Sequence, residues 1–240
     1  MRINFLLRII FSLIIIVFLL VYSLYNGFIR FNYPSLTQYP IQGIDVSHHQ
    51  KNIDWNRLDK KKVRFVFIKA TEGGDFKDKS FMTNWHAARE QGFIVGAYHF
   101  FVFCKTGAEQ AQNFIETVPK KSGTLPPVLD LEYGGNCQLT TSKERIRAEI
   151  EEMVKQLESA YGKKPILYAT REFFDDFLVN EFKELPIWIR DIYRHPSLND
   201  NNRKWLFWQY ANRGRLDGIE TFVDLNAFNG SETELFTLLK

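Results

Sequence analysis

The first 31 residues contain no acidic side chain, and the rest of the chain has no excess of either sign. Arg2, Arg8 and Arg30 are the only charged side chains in that opening stretch, while residues 32–240 carry 28 Lys and Arg against 28 Asp and Glu. The formal charge of +3 therefore belongs to the N-terminal segment. A neutral body argues against nucleic acid as a partner, because phosphate backbones are bound through a basic face. Low-complexity tracts and internal repeats are absent, which excludes disordered and collagen-like classes. No glycine-rich phosphate loop and no Gly-x-Ser-x-Gly elbow occurs, so neither that phosphate chemistry nor that nucleophile is signalled. The five histidines, His48, His49, His86, His99 and His195, lack metal-ligand spacing, and nothing implies a metal or a cofactor.

What is present is ordinary in bulk and unusual in detail. Two hundred and forty residues suffice for one large domain or two small ones. The content is 45% hydrophobic and 25% charged, but 15% aromatic, with 22 Phe, 10 Tyr and 5 Trp. Ile9 to Tyr25 reads IIFSLIIIVFLLVYSLY, without a charge. With Phe5–Leu7 it makes about 20 residues of helix, the thickness of a bilayer core. Arg2 and Arg8 precede it, so the positive-inside rule leaves the N-terminus in the cytoplasm and sends the body across the membrane. A cleaved signal peptide is the rival reading, but the exit Tyr-Ser-Leu-Tyr-Asn-Gly lacks a small-residue cleavage site. The chain divides into a stub and anchor over 1–31, a linker over 32–40 with Pro34 and Pro40, and one body over 41–240. Cys104 and Cys137 lie in the exported part, where an even count suggests one disulfide; two unpaired thiols would fit a cytoplasmic chain.

Eight β-branched or aromatic runs are predicted as strands: 41–46, 63–70, 93–101, 128–132, 166–170, 187–192, 206–211 and 222–228. Most lack alternation, as parallel strands covered on both faces do. Helical patterns fill the first five gaps, at 53–61, 81–91, 107–118, 142–161 and 171–180. The clearest is 142–161, with an apolar stripe from Ile146 to Tyr161, a capping box of Thr141 and Glu144, and Gly162 beyond its end. Strand–helix alternation predicts right-handed parallel units and a closed α/β barrel.

Chemistry in such barrels gathers where strands end, and carboxylates recur there: Asp45, then Asp130 with Glu132, then Asp224. Residues i and i+2 on a strand face one side, about 6.5–7 Å apart, so Asp130 and Glu132 both point into the mouth. Crowded acids raise one another's pKa, leaving a proton donor beside an anion, the pairing that glycoside hydrolysis uses. A single Asp-x-Glu is often only a solvated loop start; four acids at three strand ends argue for more. Tyr98, Phe100, Tyr168, Trp188, Trp208 and Tyr210 fall in predicted strands and could stack on sugar rings, although core packing accounts for any one of them. Lys69 and Glu72 read as an ion pair at the barrel rim.

The strings GIDVSHHQ (43–50), FIKATEG (67–73), GAYHFF (96–101), PPVLDLE (126–132), WIRDIY (188–193), WQYA (208–211) and VDLN (223–226) together resemble glycoside hydrolase family 25, the Chalaropsis-type lysozymes or N-acetylmuramidases. The resemblance covers about residues 41–230. It implies an irregular TIM-like α/β barrel of five β/α units followed by three strands. It also implies cleavage of the β-1,4 bond between N-acetylmuramic acid and N-acetylglucosamine in peptidoglycan. The chain is expected to be a monomer. Carried over by motif, Glu132 is the general acid and Asp130 the charge stabiliser or nucleophile. Asp45 and Asp224 complete the acidic cluster, and Tyr98, Phe100, Tyr168, Trp188, Trp208 and Gln209 are the sugar-contacting candidates. Cys104 and Cys137 would occupy neighbouring loops on the active-site face. A non-catalytic saccharide binder is the main competing reading. A chitinase-type barrel lacks support, since the fourth strand reads LPPVLDLE rather than carrying a longer acidic run.

Overall fold

The computed structural model describes residues 2–30, 32–138, 140–198 and 203–240; Met1 and Phe31, within the expected anchor segment, lie outside them. Helix α1 (Arg2–Tyr25) carries the apolar run, and among the described residues it is the one helix long and apolar enough to cross a membrane. No residue of its apolar window is buried, and only its last turn meets the barrel, where Arg213 contacts Tyr25.

The body is a barrel of eight strands. β1 (Gln42–Val46), β2 (Phe65–Glu72), β4 (Ile94–Phe100), β5 (Val128–Leu131), β6 (Ile166–Thr170), β7 (Ile187–Arg190), β8 (Phe207–Gly214) and β9 (Val223–Phe228) follow one another around it. Pairing of β1 with both β2 and β9 closes the ring. A two-residue strand, β3 (Phe76–Lys77), pairs with the end of β2. Seven barrel strands are parallel, whereas β9 runs antiparallel to β8 and β1. The eighth predicted strand is thus not another parallel unit. The loop from β8 to β9 contains no crossover helix, so the chain turns back and pairs as a hairpin does.

Helices α2 (Phe81–Glu90), α3 (Gly107–Thr117) and α4 (Lys143–Tyr161) cover the outside. The stripe of α4 is buried as expected, but its cap is Ser142, which accepts from the Arg145 amide, rather than Thr141. The helix expected at 53–61 is a series of turns. Asp54 and Asp59 accept from the amides of Asn56 and Lys61, offering the backbone an alternative to helix, while Trp55 and Leu58 remain buried. The pattern at 171–180 becomes α5 (Arg171–Phe173) and a π turn, Phe174–Leu178, whose wider spacing buries Phe173, Phe174, Phe177 and Leu178 together. A final helix, α6 (Glu232–Thr237), has a Ser231–Glu234 capping box that the sequence reading passed over.

The lower half of the barrel interior is aromatic. Phe65, Phe67, Trp188, Phe207 and Phe228 fill it, with Phe67 stacked on Trp188 at 4.6 Å between ring centres. Gly43 and Gly96 make room, because a Cβ on either would lie within 2.6 Å of the Phe65 or Phe67 ring. This packed floor leaves only the upper rim free for a ligand.

Candidate active site

The upper end of the barrel holds a cleft of about 430 Å³, lined by Asp45, Asp130, Glu132 and Asp224 together with Lys69 and Arg190. Asp130 and Glu132 reach it from the end of β5, as their i, i+2 spacing requires. Asp224 stands at the start of its strand. It reaches the same rim because β9 is reversed, and it faces Asp45 directly in the β1–β9 register.

Lys69 and Glu72 are three apart on β2 and would alternate to opposite faces in a regular strand. A bulge at Ala70, where Lys69 pairs Tyr98 and Thr71 pairs His99, turns both into the cleft. Their ion pair is 2.7 Å long, and the Lys69 ammonium also lies 4.9 Å from the centre of the Phe100 ring.

Asp45 is the most heavily supported of the acids. Its Oδ2 accepts from Gln209 Nε2 at 2.9 Å and from Asn226 Nδ2 at 2.7 Å. Behind these, Tyr168 donates to Gln209 Oε1 at 3.0 Å, and Trp188 Nε1 donates to Asn226 Oδ1 at 2.8 Å. Two relays, from the floor and from the wall, converge on one carboxylate. Asp130 is the contrast: its Oδ1 is buried without a hydrogen-bond partner.

Burial raises the pKa of all four carboxyls. In Asp130 the rise is large, and the charge of Glu132 adds to it. Glu132 rises by burial and is eased by Arg190. Asp224 is pushed well above the carboxylate range by burial and by Asp45. In Asp45 the donors Asn226 and Gln209 work against the rise. Arg190 is the common counterion of these four acids. The cluster titrates as a unit and retains protons at a pH where isolated carboxylates are charged. Burial also keeps the phenols of Tyr98 and Tyr168 protonated, hence as donors.

Of the sugar-contacting candidates, Tyr98, Phe100, Tyr168 and Gln209 line the cleft. Trp188 and Trp208 do not. Trp188 points inward but lies in the aromatic floor below the acids. Trp208 faces outward, because Phe207 and Gln209 on either side of it point in; its Nε1 bonds Asp191 O at 2.8 Å, and it packs on Tyr39 and Trp205. Tyr210 shares that outward face. Arg190 and Asn226 were assigned no role from sequence, although each sits inside a quoted string. Among the described residues no cluster of His, Cys, Asp and Glu is arranged to hold a metal.

The loops above β4 and β5 are fastened twice. Cys104 and Cys137 form a disulfide, with Cα atoms 6.0 Å apart. Asn136 bridges Phe101 O, Glu132 O and the Phe103 amide. This fixes the chain immediately after Glu132.

Residues 44–219 match the family model for glycosyl hydrolases family 25. The chain belongs to that family. It is accordingly a glycoside hydrolase, and its barrel is that of solved family 25 structures. One, a family 25 glycosyl hydrolase from Bacillus anthracis, has a TM-score of 0.81 and 43% identity, covering 86% of this chain and 97% of that one. A muramidase from Acremonium alcalophilum has a TM-score of 0.74 and 32% identity over 83% and 98% of the two chains. By sequence, Lysozyme M1 of Streptomyces globisporus is 32% identical over 210 residues, 82% of this chain and 71% of that protein. Every residue of the acid cleft except Asp224 lies within the family 25 match.

Proposed function

We propose that this family 25 enzyme is a lysozyme that hydrolyses the β-1,4 bond between N-acetylmuramic acid and N-acetylglucosamine in peptidoglycan. The observation that carries this reading is the buried cluster of four carboxyls over a closed aromatic floor, in a chain similar to a lysozyme and a muramidase.

Glu132 is the general acid. It lies at the rim, beyond the last residue of β5, on a loop held by Asn136, where a glycosidic oxygen can approach. Asp130, one turn of the pleat deeper, stabilises positive charge at the sugar carbon or on the acetamido group. Its unpartnered Oδ1 leaves a carboxyl oxygen free for that contact. Asp45 and Asp224 hold the field of the cleft, and Tyr98, Phe100, Tyr168 and Gln209 orient the sugar. No cofactor enters this chemistry.

The exposed apolar stretch Phe5–Tyr25 supports an uncleaved anchor, with residues 32–40 as tether and 41–240 as the catalytic unit outside the membrane. The similarity to lysozymes supports extracellular or periplasmic action, and we take the chain to act as a monomer.

The test is digestion of purified insoluble peptidoglycan by the full chain in non-ionic detergent, followed by borohydride reduction and mass analysis, with Glu132→Gln alongside. Fragments ending in reduced muramic acid, absent with the variant, support the assignment. Reduced glucosamine ends overturn the bond preference. Protein that pellets with the wall and releases nothing is a binding module.

A further inference from the structure

Glu132 belongs to two lobes of the barrel mouth. One is the acid cleft, which also holds Asp45, Asp130 and Asp224. The other, of about 410 Å³, shares Glu132, Gly134 and Arg190 with it but is lined by none of those three aspartates. Its remaining walls come from the loop after β5, the start of α5 and the loop after β7.

Two tyrosines line this second lobe, and they are held differently. Tyr133 is half-buried: its ring centre lies 5.5 Å from that of Phe173, and its hydroxyl donates to Asp176 Oδ2 at 2.7 Å. Tyr193 is 82% exposed, more than any other aromatic side chain among the described residues, those of α1 included. Its backbone is nonetheless pinned. Buried Asp191 accepts through Oδ1 from the amides of Tyr193 and Arg194, at 3.1 and 2.8 Å, and its carbonyl takes the Trp208 indole N–H. A ring left in water contributes nothing to folding, whereas on a fixed turn beside a sugar cleft it offers a flat apolar face to a sugar ring.

The chemistry assigns the lobes. The bond that breaks joins C1 of one sugar to an oxygen of the next, and Glu132 protonates that oxygen. Positive charge then develops at C1, which must lie beside Asp130 and hence in the acid cleft. The sugar that keeps the oxygen therefore extends past Glu132 into the lobe without those aspartates. We propose that this second lobe binds the leaving sugar, on the N-acetylglucosamine side of the bond, and that Tyr193 is its specificity-determining residue, stacking on the sugar ring. The proposal rests on the lysozyme reading above and divides its cleft into two sites with separate residues.

The test uses the full chain in non-ionic detergent with two soluble substrates that share one C1-side unit, the disaccharide of N-acetylglucosamine linked to N-acetylmuramic acid. In the first, this unit is joined to a second copy of itself, giving a tetrasaccharide that fills both lobes. In the second it carries a β-fluoride at C1, a leaving group that needs no sugar site. Tyr193→Ala should lower kcat/KM on the tetrasaccharide by about tenfold, through KM with kcat nearly kept, because stacking is the same before and during bond breaking. Hydrolysis of the fluoride, which does not reach Tyr193, should match the wild type and show that the variant is folded. Tyr193→Phe keeps the ring face and should retain most of the tetrasaccharide activity. Tetrasaccharide cleavage untouched by Tyr193→Ala overturns the proposal. Equal losses on the two substrates also overturn it, by placing Tyr193 on the C1 side. A loss in Tyr193→Phe as deep as in Tyr193→Ala overturns the stacking. A wild type that turns over neither substrate overturns the lysozyme reading, and the assignment of the lobes falls with it.

Discussion

Asp45 and Asp224 face each other across the antiparallel β1–β9 pair and are hydrogen-bonded carboxyl to carboxyl. One proton must lie between them, and the surroundings decide its owner. Asp45 already accepts from Gln209 and Asn226, which favours its charged form, so the proton rests on Asp224. Asp224→Asn keeps a donor toward Asp45 and should lower kcat/KM on soluble glycan by no more than roughly tenfold. Asp45→Asn leaves one oxygen to accept from Gln209 and Asn226 but removes the negative charge they stabilise, and should cost on the order of a hundredfold. Equal losses would show that the proton is not placed in this way.

Arg190 lowers the pKa of Asp45, Asp130, Glu132 and Asp224 alike. Removing it must raise them all. Arg190→Gln should therefore shift both limbs of the pH–rate profile to higher pH, the alkaline limb reporting the proton donor and the acid limb the required carboxylate. A profile that falls in height without moving would mean that Arg190 only positions substrate.

His99 is buried between Thr71 Oγ1 at 2.7 Å and Gln110 Oε1 at 3.1 Å, and burial lowers its pKa to about 4. Its folded pKa lies below the unfolded value near 6.5, so the unfolded chain binds the proton first as pH falls. Stability is complete above about pH 6.5 and is lost progressively toward pH 4, by about 3 kcal/mol. Denaturant titrations of the wild type and of His99→Gln should show that this part of the acid limb is missing in the variant. Parallel limbs would refute it.

A Cβ at Gly96 would sit 2.6 Å from the Phe67 ring and 2.9 Å from Leu125 Cβ. Gly96→Ala should destabilise by about 1–3 kcal/mol, since the filled floor cannot give way cheaply. An unchanged denaturation midpoint would show slack in that packing.

The paired acids were legible in the sequence because strand alternation is local: Asp130 and Glu132 needed only their spacing. The cysteines needed only their number and compartment. Other features depended on partners far away in the chain. Nothing local marks the bulge at Ala70 that brings Lys69 and Glu72 into one cleft. The reversal of β9, which puts Asp224 on the rim, is set by pairing with β1 and β8. Trp188 and Trp208 were both credited to the sugar, but which way a strand residue faces, and at what depth, is fixed by its neighbours in the barrel. Asn226 looked neutral because its value lies in linking Trp188 to Asp45.

The helix after that reversed strand, α6, plugs the barrel floor. Leu235 is fully buried among the lower aromatics, Lys163 Nζ donates to Leu238 O at 2.9 Å, and Arg64 pairs with Glu232. Lys240 therefore lies at the pole opposite the catalytic mouth. A reporter or wall-seeking module fused behind Lys240 would ride on the pole away from the acid cleft, clear of the bound glycan.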